Sequence, residues 1–173
     1  MPNFYYRLFH SKYILVNTKQ VHDAFFTPET PTSVVKSLER LLSPYESMLW
    51  PMQALFKFVT GPDVLSSITG WTTKKSTTAN KDVVSQNMLV LAAEHDVLCT
   101  PPILQDAAER YRSAFVQMVG QGKVDGVSKI NIQSDEEKGV RFRIVKGLGH
   151  HLQNHVEWER GAEEVLEWVE QLS

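Results

Sequence analysis

Two short segments carry side chains whose types could do acid–base chemistry: Leu89-Val90-Leu91-Ala92-Ala93-Glu94-His95-Asp96 and Phe142-Arg143-Ile144-Val145-Lys146-Gly147-Leu148-Gly149-His150. An imidazole that activates a hydroxyl needs one ring nitrogen toward the nucleophile. The other must be held by a carboxylate that also stabilises the imidazolium. Asp96 and His150 are the candidates for acid and base, in the chain order Asp then His. The nucleophile should lie upstream, yet no Gly-x-Ser-x-Gly occurs in the chain. Ser66, Ser67 and Ser128 lie near glycines, but none sits between a predicted strand and helix as a nucleophile elbow requires. The nucleophile is unassigned.

These two residues must be positioned by the elements that end at them. Met88 to Ala93 is a continuous apolar run, the pattern of a parallel strand covered on both faces. Val140 to Val145 alternates apolar and basic residues, predicting an edge strand with Arg141 and Arg143 on its outer face. Between them, Pro101-Pro102 opens a helix with apolar residues at helical spacing, ending near Gly120 and Gly122. A parallel sheet forms its ligand crevice at the C-terminal ends of its strands, so Asp96 and His150 could meet there. Gly147 and Gly149 let the backbone turn beneath the histidine. The polar, acidic stretch from Lys123 to Gly139 reads as an exposed insertion. A closing helix is predicted with Asn154 as cap, Glu157 three residues on, and Trp158, Ala162, Val165, Val169 and Leu172 facing inward.

The first half has a different texture. Tyr13 to Val16 reads as a short extended piece, and Thr18 caps a helix carrying Val21, Ala24 and Phe25. A second helix places Val34, Val35, Leu38, Leu41 and Leu42 on one stripe. Ser43-Pro44-Tyr45-Glu46 combines a serine cap, a first-turn proline and a glutamate three residues after the cap. The helix it opens presents Met48, Leu49, Met52, Leu55, Phe56 and Val59, with Trp50 and Phe58 widening the apolar surface. The polar run from Thr72 to Asp82 separates the halves as a loop.

Together, the apolar strand, Glu-His-Asp-Val-Leu-Cys-Thr-Pro-Pro, the helix, the second strand, Gly-Leu-Gly-His-His-Leu-Gln-Asn and the final helix resemble the C-terminal half of the α/β-hydrolase family. The segment around Ser43 to Pro51 and Thr60 to Leu65 looks like the helical lid of fungal members. The resemblance implies an α/β fold: a partial α/β-hydrolase fold in which a helical lid precedes the last two parallel strands and their helices. It divides the chain into a lid region at 1–71, a polar linker at 72–82 and the C-terminal part of the catalytic core at 83–173. It also implies that Asp96 is the triad acid and His150 the triad base, while Met48, Trp50, Met52 and Phe56 form the lid face over an apolar pocket. The substrate class is a small apolar ester, a lipid-like molecule or an amide, and no metal or organic cofactor is implied. The family's first strands, oxyanion loop and elbow should precede the lid, and Met1 stands where the lid begins. The resemblance therefore implies a fragment that is inactive alone. Two strands cannot bury both faces and both edges, so a non-catalytic fragment that needs a partner chain to complete the sheet is the alternative.

Composition bounds these readings. The 173 residues suit one domain, and 42% hydrophobic with 22% charged residues argue against pervasive disorder. A net charge of -2 supplies no basic field for nucleic acid. No window approaches the roughly 18–20 apolar residues of a membrane span. The lone cysteine, Cys99, excludes an intrachain disulfide and fits a reducing compartment, so a cytoplasmic location is the default. Taken alone, Asp96 is a loop aspartate capping the turn before Pro101. A metal centre built from His95, Asp96, His150, His151 and His155 is disfavoured, because His155 at a helix start is expected to be solvated and no cysteine or second acidic ligand has metal-type spacing. Cys99 is disfavoured as nucleophile because it follows the acid within three residues.

Overall fold

A computed structural model of the chain describes residues 15, 17–42, 59–71, 73–75, 82–125, 127 and 138–172. Two apolar segments build the part that matters for the site. Strand β3 (Met88–Ala93) pairs in parallel with β4 (Val140–Val145), in a register running from Met88 opposite Val140 to Ala93 opposite Val145. Parallel pairing requires a crossover, and α4 (Pro101–Gly120) supplies it. Its start follows from Pro101 and Pro102, which lack N–H groups that the first helical turn would leave unbonded anyway. The architecture is mixed α/β.

Helix α4 buries Ala108, Ala114, Phe115, Met118 and Val119. Around Phe115 the main core also gathers Leu65, Trp71, Val84 and Val124. Fully burying a side chain such as Phe115 contributes about 1.5–3 kcal/mol. Leu65 comes from α3 (Gly61–Ser66), whose Thr60–Asp63 capping box is complete. A Cβ on Gly61 would stand 2.9 Å from the Ala114 Cβ, so glycine permits the close crossing of α3 on α4. Val84 ends a short antiparallel hairpin of β1 (Thr73–Lys75) and β2 (Asp82–Val84). The polar stretch read as a loop thus carries strand pairing at both ends. Gly139 enters β4 at φ +72°, with space for a Cβ closed off by Trp71 and Phe115.

A second core joins α1 (Thr18–Phe25) to α2 (Thr32–Leu41) through Val21, Phe26, Val35 and Leu38. The cap of α1 is Asn17, whose side chain accepts from the Gln20 N–H, so Thr18 is the first helical residue rather than the cap. Leu41, expected on the buried stripe, is exposed. The extended piece at Tyr13 to Val16, apart from Leu15, and the helix opened by Ser43-Pro44, apart from Val59, lie outside the described residues; Val59, expected on the apolar face of that helix, is not helical and is exposed.

The C-terminal helix differs most from expectation. A 3-10 turn at Leu152–Asn154 precedes it, and α5 spans Trp158–Leu172, so Asn154 is not its cap. Its buried residue is Gly161, whereas Trp158, Val165, Leu166 and Val169 are 40–58% exposed. The polar flank faces the sheet instead. Arg141, expected on an outer face, is 2% exposed, with Nη2 donating to Glu167 Oε1 at 2.6 Å and Nη1 to Gln171 Oε1 at 2.5 Å. Trp168 Nε1 donates to the Gln86 carbonyl at 2.6 Å. Among the described residues, no helix is long and apolar enough to cross a membrane.

Candidate active site

Strand pairing continues past β3 and β4 and sets the site. The Glu94 N–H donates to Val145 O and the His95 N–H to Leu148 O, each at 2.9 Å, while the Asp96 N–H closes a turn on Ala93 O at 3.2 Å. Asp96 is thereby left at the mouth of the two-strand unit with its side chain 5% exposed. Its Oδ1 accepts from the N–H groups of Leu98 and Cys99, both at 2.8 Å. This is the turn-capping role of a loop aspartate. The same carboxylate has a second role, because Oδ2 lies 2.8 Å from His150 Nδ1.

An ionised carboxylate only accepts hydrogen bonds, so Nδ1 carries the proton and the lone pair belongs to Nε2. That tautomer is the one a general base needs. The His150 side chain is 30% exposed.

The loop that delivers His150 is held on both sides. Gly147 sits at φ +77°, and its N–H donates to Glu94 Oε2 at 2.9 Å. Leu148 is fully buried with Ala93 and Val145. A Cβ on Gly149 would meet the backbone of Phe25 and Phe26 at 3.0 Å. The His151 N–H donates to Phe25 O at 3.0 Å, and the Phe25 ring lies 5.5 Å from the His150 ring. The end of α1 is therefore a wall of the site, which no motif in the sequence announces.

A buried polar link ties that wall down. His155 is 4% exposed, not solvated as expected. Its Nδ1 accepts from the Glu157 N–H at 3.3 Å, which assigns the proton to Nε2, and Nε2 donates to Thr27 Oγ1 at 3.0 Å. Burial is the main cause that holds His155 below the ordinary histidine value; Glu157 opposes it and Arg160 adds to it. His151 is also lowered, first by burial and then by its neighbour His150.

An open cleft of about 500 Å³ with mixed polar and apolar lining lies beside Asp96, between Glu94, His95 and Val97 on one side and His22, Asp23, Phe26 and Thr27 on the other. A second cavity of about 580 Å³, almost wholly apolar, runs between Leu91, Leu152 and the exposed face of α5.

Of the residues singled out by sequence, Asp96 and His150 are brought together, while Met48, Trp50, Met52 and Phe56 lie outside the described residues. His95 pairs loosely with Glu94 at 3.7 Å. Cys99 falls near the pair: a thiol sulfur, an Asp96 oxygen and a His150 nitrogen all lie within 4.8 Å of one another. The signal for Cys99 was its position three residues after the acid, on the loop the acid caps. No family model, curated protein or solved structure matches the chain.

Proposed function

We propose that this chain is the lid and C-terminal catalytic part of a serine hydrolase of α/β-hydrolase type, acting on an apolar ester, a lipid-like molecule or an amide. The observation that carries the reading is the Asp96–His150 contact of 2.8 Å, with the far carboxylate oxygen fixed by two backbone N–H groups. In the complete enzyme a serine attacks the carbonyl, and His150 Nε2 takes its proton and passes it to the leaving group. Asp96 holds the ring and stabilises the imidazolium. This chemistry requires no cofactor. The chain carries no Gly-x-Ser-x-Gly, so the nucleophile comes from polypeptide other than these 173 residues and the chain alone is inactive.

Two measurements test this. The first is the NMR spectrum of metal-free protein: the His150 Nδ1–H should give a resolved downfield proton signal that Asp96→Asn weakens or removes. The second is labelling with a fluorophosphonate probe. No adduct is expected on this chain alone, and an adduct on any of its serines would sink the claim that the nucleophile is supplied from elsewhere.

A second reading, a non-catalytic fragment that binds a partner chain, is favoured by one observation. The apolar face of α5 and the 580 Å³ groove beside β3 stand open among the described residues. An exposed apolar patch rimmed by polar residues is the usual mark of a protein interface. A partner that completes the sheet serves both readings, and a stable, monodisperse chain with no tendency to associate counts against the second.

A further inference from the structure

We propose that Asp96, Cys99 and His150 form a three-ligand site for Zn²⁺, and that loading it switches off His150 as a base. The binding stands on geometry independent of the hydrolase reading; only the inhibitory consequence rests on that reading.

The donor set is one carboxylate oxygen, one thiol sulfur and one imidazole nitrogen, all within 4.8 Å of one another. Mixed S, N and O donors suit Zn²⁺ and not the hard, oxygen-seeking Mg²⁺ or Ca²⁺, and three protein ligands leave the fourth tetrahedral position open. Zinc bonds of about 2.0–2.3 Å place neighbouring ligand atoms roughly 3.3–3.6 Å apart. The Asp96–His150 pair, at 2.8 Å, must open slightly and the thiol must close by up to about an ångström. Both moves are side-chain rotations at partly exposed positions: Cys99 is partly exposed, and the His150 side chain is 30% exposed. The two N–H groups that hold Asp96 Oδ1 orient the carboxylate while Oδ2 turns to the metal.

The proton balance gives the switch. His150 Nδ1 is the nitrogen beside Asp96, so coordination through Nδ1 moves its proton to Nε2. The ring stays neutral, but its outward nitrogen is now N–H and accepts nothing. Cys99 loses its thiol proton, so one proton is released for each metal bound.

The test is a titration of the full chain, stripped with chelator, with Co²⁺ as the optical probe and Zn²⁺ as competitor. A 1:1 complex is expected with a near-ultraviolet thiolate-to-cobalt band, displaced by Zn²⁺ and untouched by Mg²⁺. Cys99→Ser, close to isosteric at a partly exposed position, should abolish the band. His150→Gln and Asp96→Asn should each weaken binding by about tenfold or more. No 1:1 band in the wild-type chain overturns the proposal. So does a band that Cys99→Ser removes but His150→Gln and Asp96→Asn leave unchanged, since that describes a lone thiol. The Nδ1–H signal of metal-free protein reports on the dyad separately: a normal signal with no cobalt band sinks the zinc site alone, whereas a cobalt band with no such signal sinks the base assignment alone.

Discussion

His155 shows what a buried histidine does to stability. Burial lowers its folded-state value below that of the unfolded chain, so as pH falls below about 6.5 the unfolded chain binds more protons than the folded one. A histidine with a lowered folded value contributes fully above its ordinary value and loses that contribution as pH falls. His151 acts in the same direction. Urea unfolding from pH 7.5 to 5 should therefore show stability falling below about 6.5, with a shallower slope in His155→Gln. Thr27→Val keeps the volume but strands the Nε2–H of His155 in a buried position. It should cost about 1–3 kcal/mol by the same measurement, and an unchanged midpoint would mean the hydrogen bond contributes nothing.

Elements meet here through close backbone approaches and an ion pair with one buried member. Gly149→Ala drives a methyl into the Phe25–Phe26 backbone and should cost about 1–3 kcal/mol. Gly139→Ala combines a left-handed φ with a 2.8 Å clash on Trp71 and should cost more than about 2 kcal/mol. If denaturation midpoints reverse that order, the packing described for β4 is wrong. Between β4 and α5, Arg141 is buried while its partner Glu167 is largely exposed and held below the ordinary glutamate value by Arg141. Glu167→Ala leaves a buried guanidinium without its carboxylate, whereas Arg141→Met replaces the charge with packing. The first should be the more destabilising of the two in chemical denaturation.

At the scale of the molecule, the open apolar face of α5 is the feature without an internal explanation. Trp158, Val165, Leu166 and Val169 line a groove with Leu91 and Leu152, beside a strand whose residues are apolar on both faces. Leu166→Lys with Val169→Lys should change stability by less than about 0.5 kcal/mol, as for surface positions. The same pair should sharply reduce binding of a hydrophobic dye and any self-association. A loss above 2 kcal/mol would show instead that the chain covers this face itself.

Local rules reached far into this protein. The proline-opened crossover helix, the two parallel strands and the aspartate and histidine after their ends were legible because each depends on neighbours a few residues away: periodicity, caps and turn chemistry. The covering expected on both faces of β3 is not found, since Met88 to Leu91 are only half-buried. Direction was not legible. Arg141 and the apolar stripe of α5 read as outward and inward, and the fold reverses both. A pattern of alternation shows that an element has two faces, but not which of them meets the sheet. Nor could spacing place Phe25 and Thr27 against residues more than a hundred positions later, or bring Cys99 within reach of His150. Those contacts depend on how the α1 end packs on the histidine loop and how the Asp96 turn folds back, which is settled by long-range packing that no local window contains.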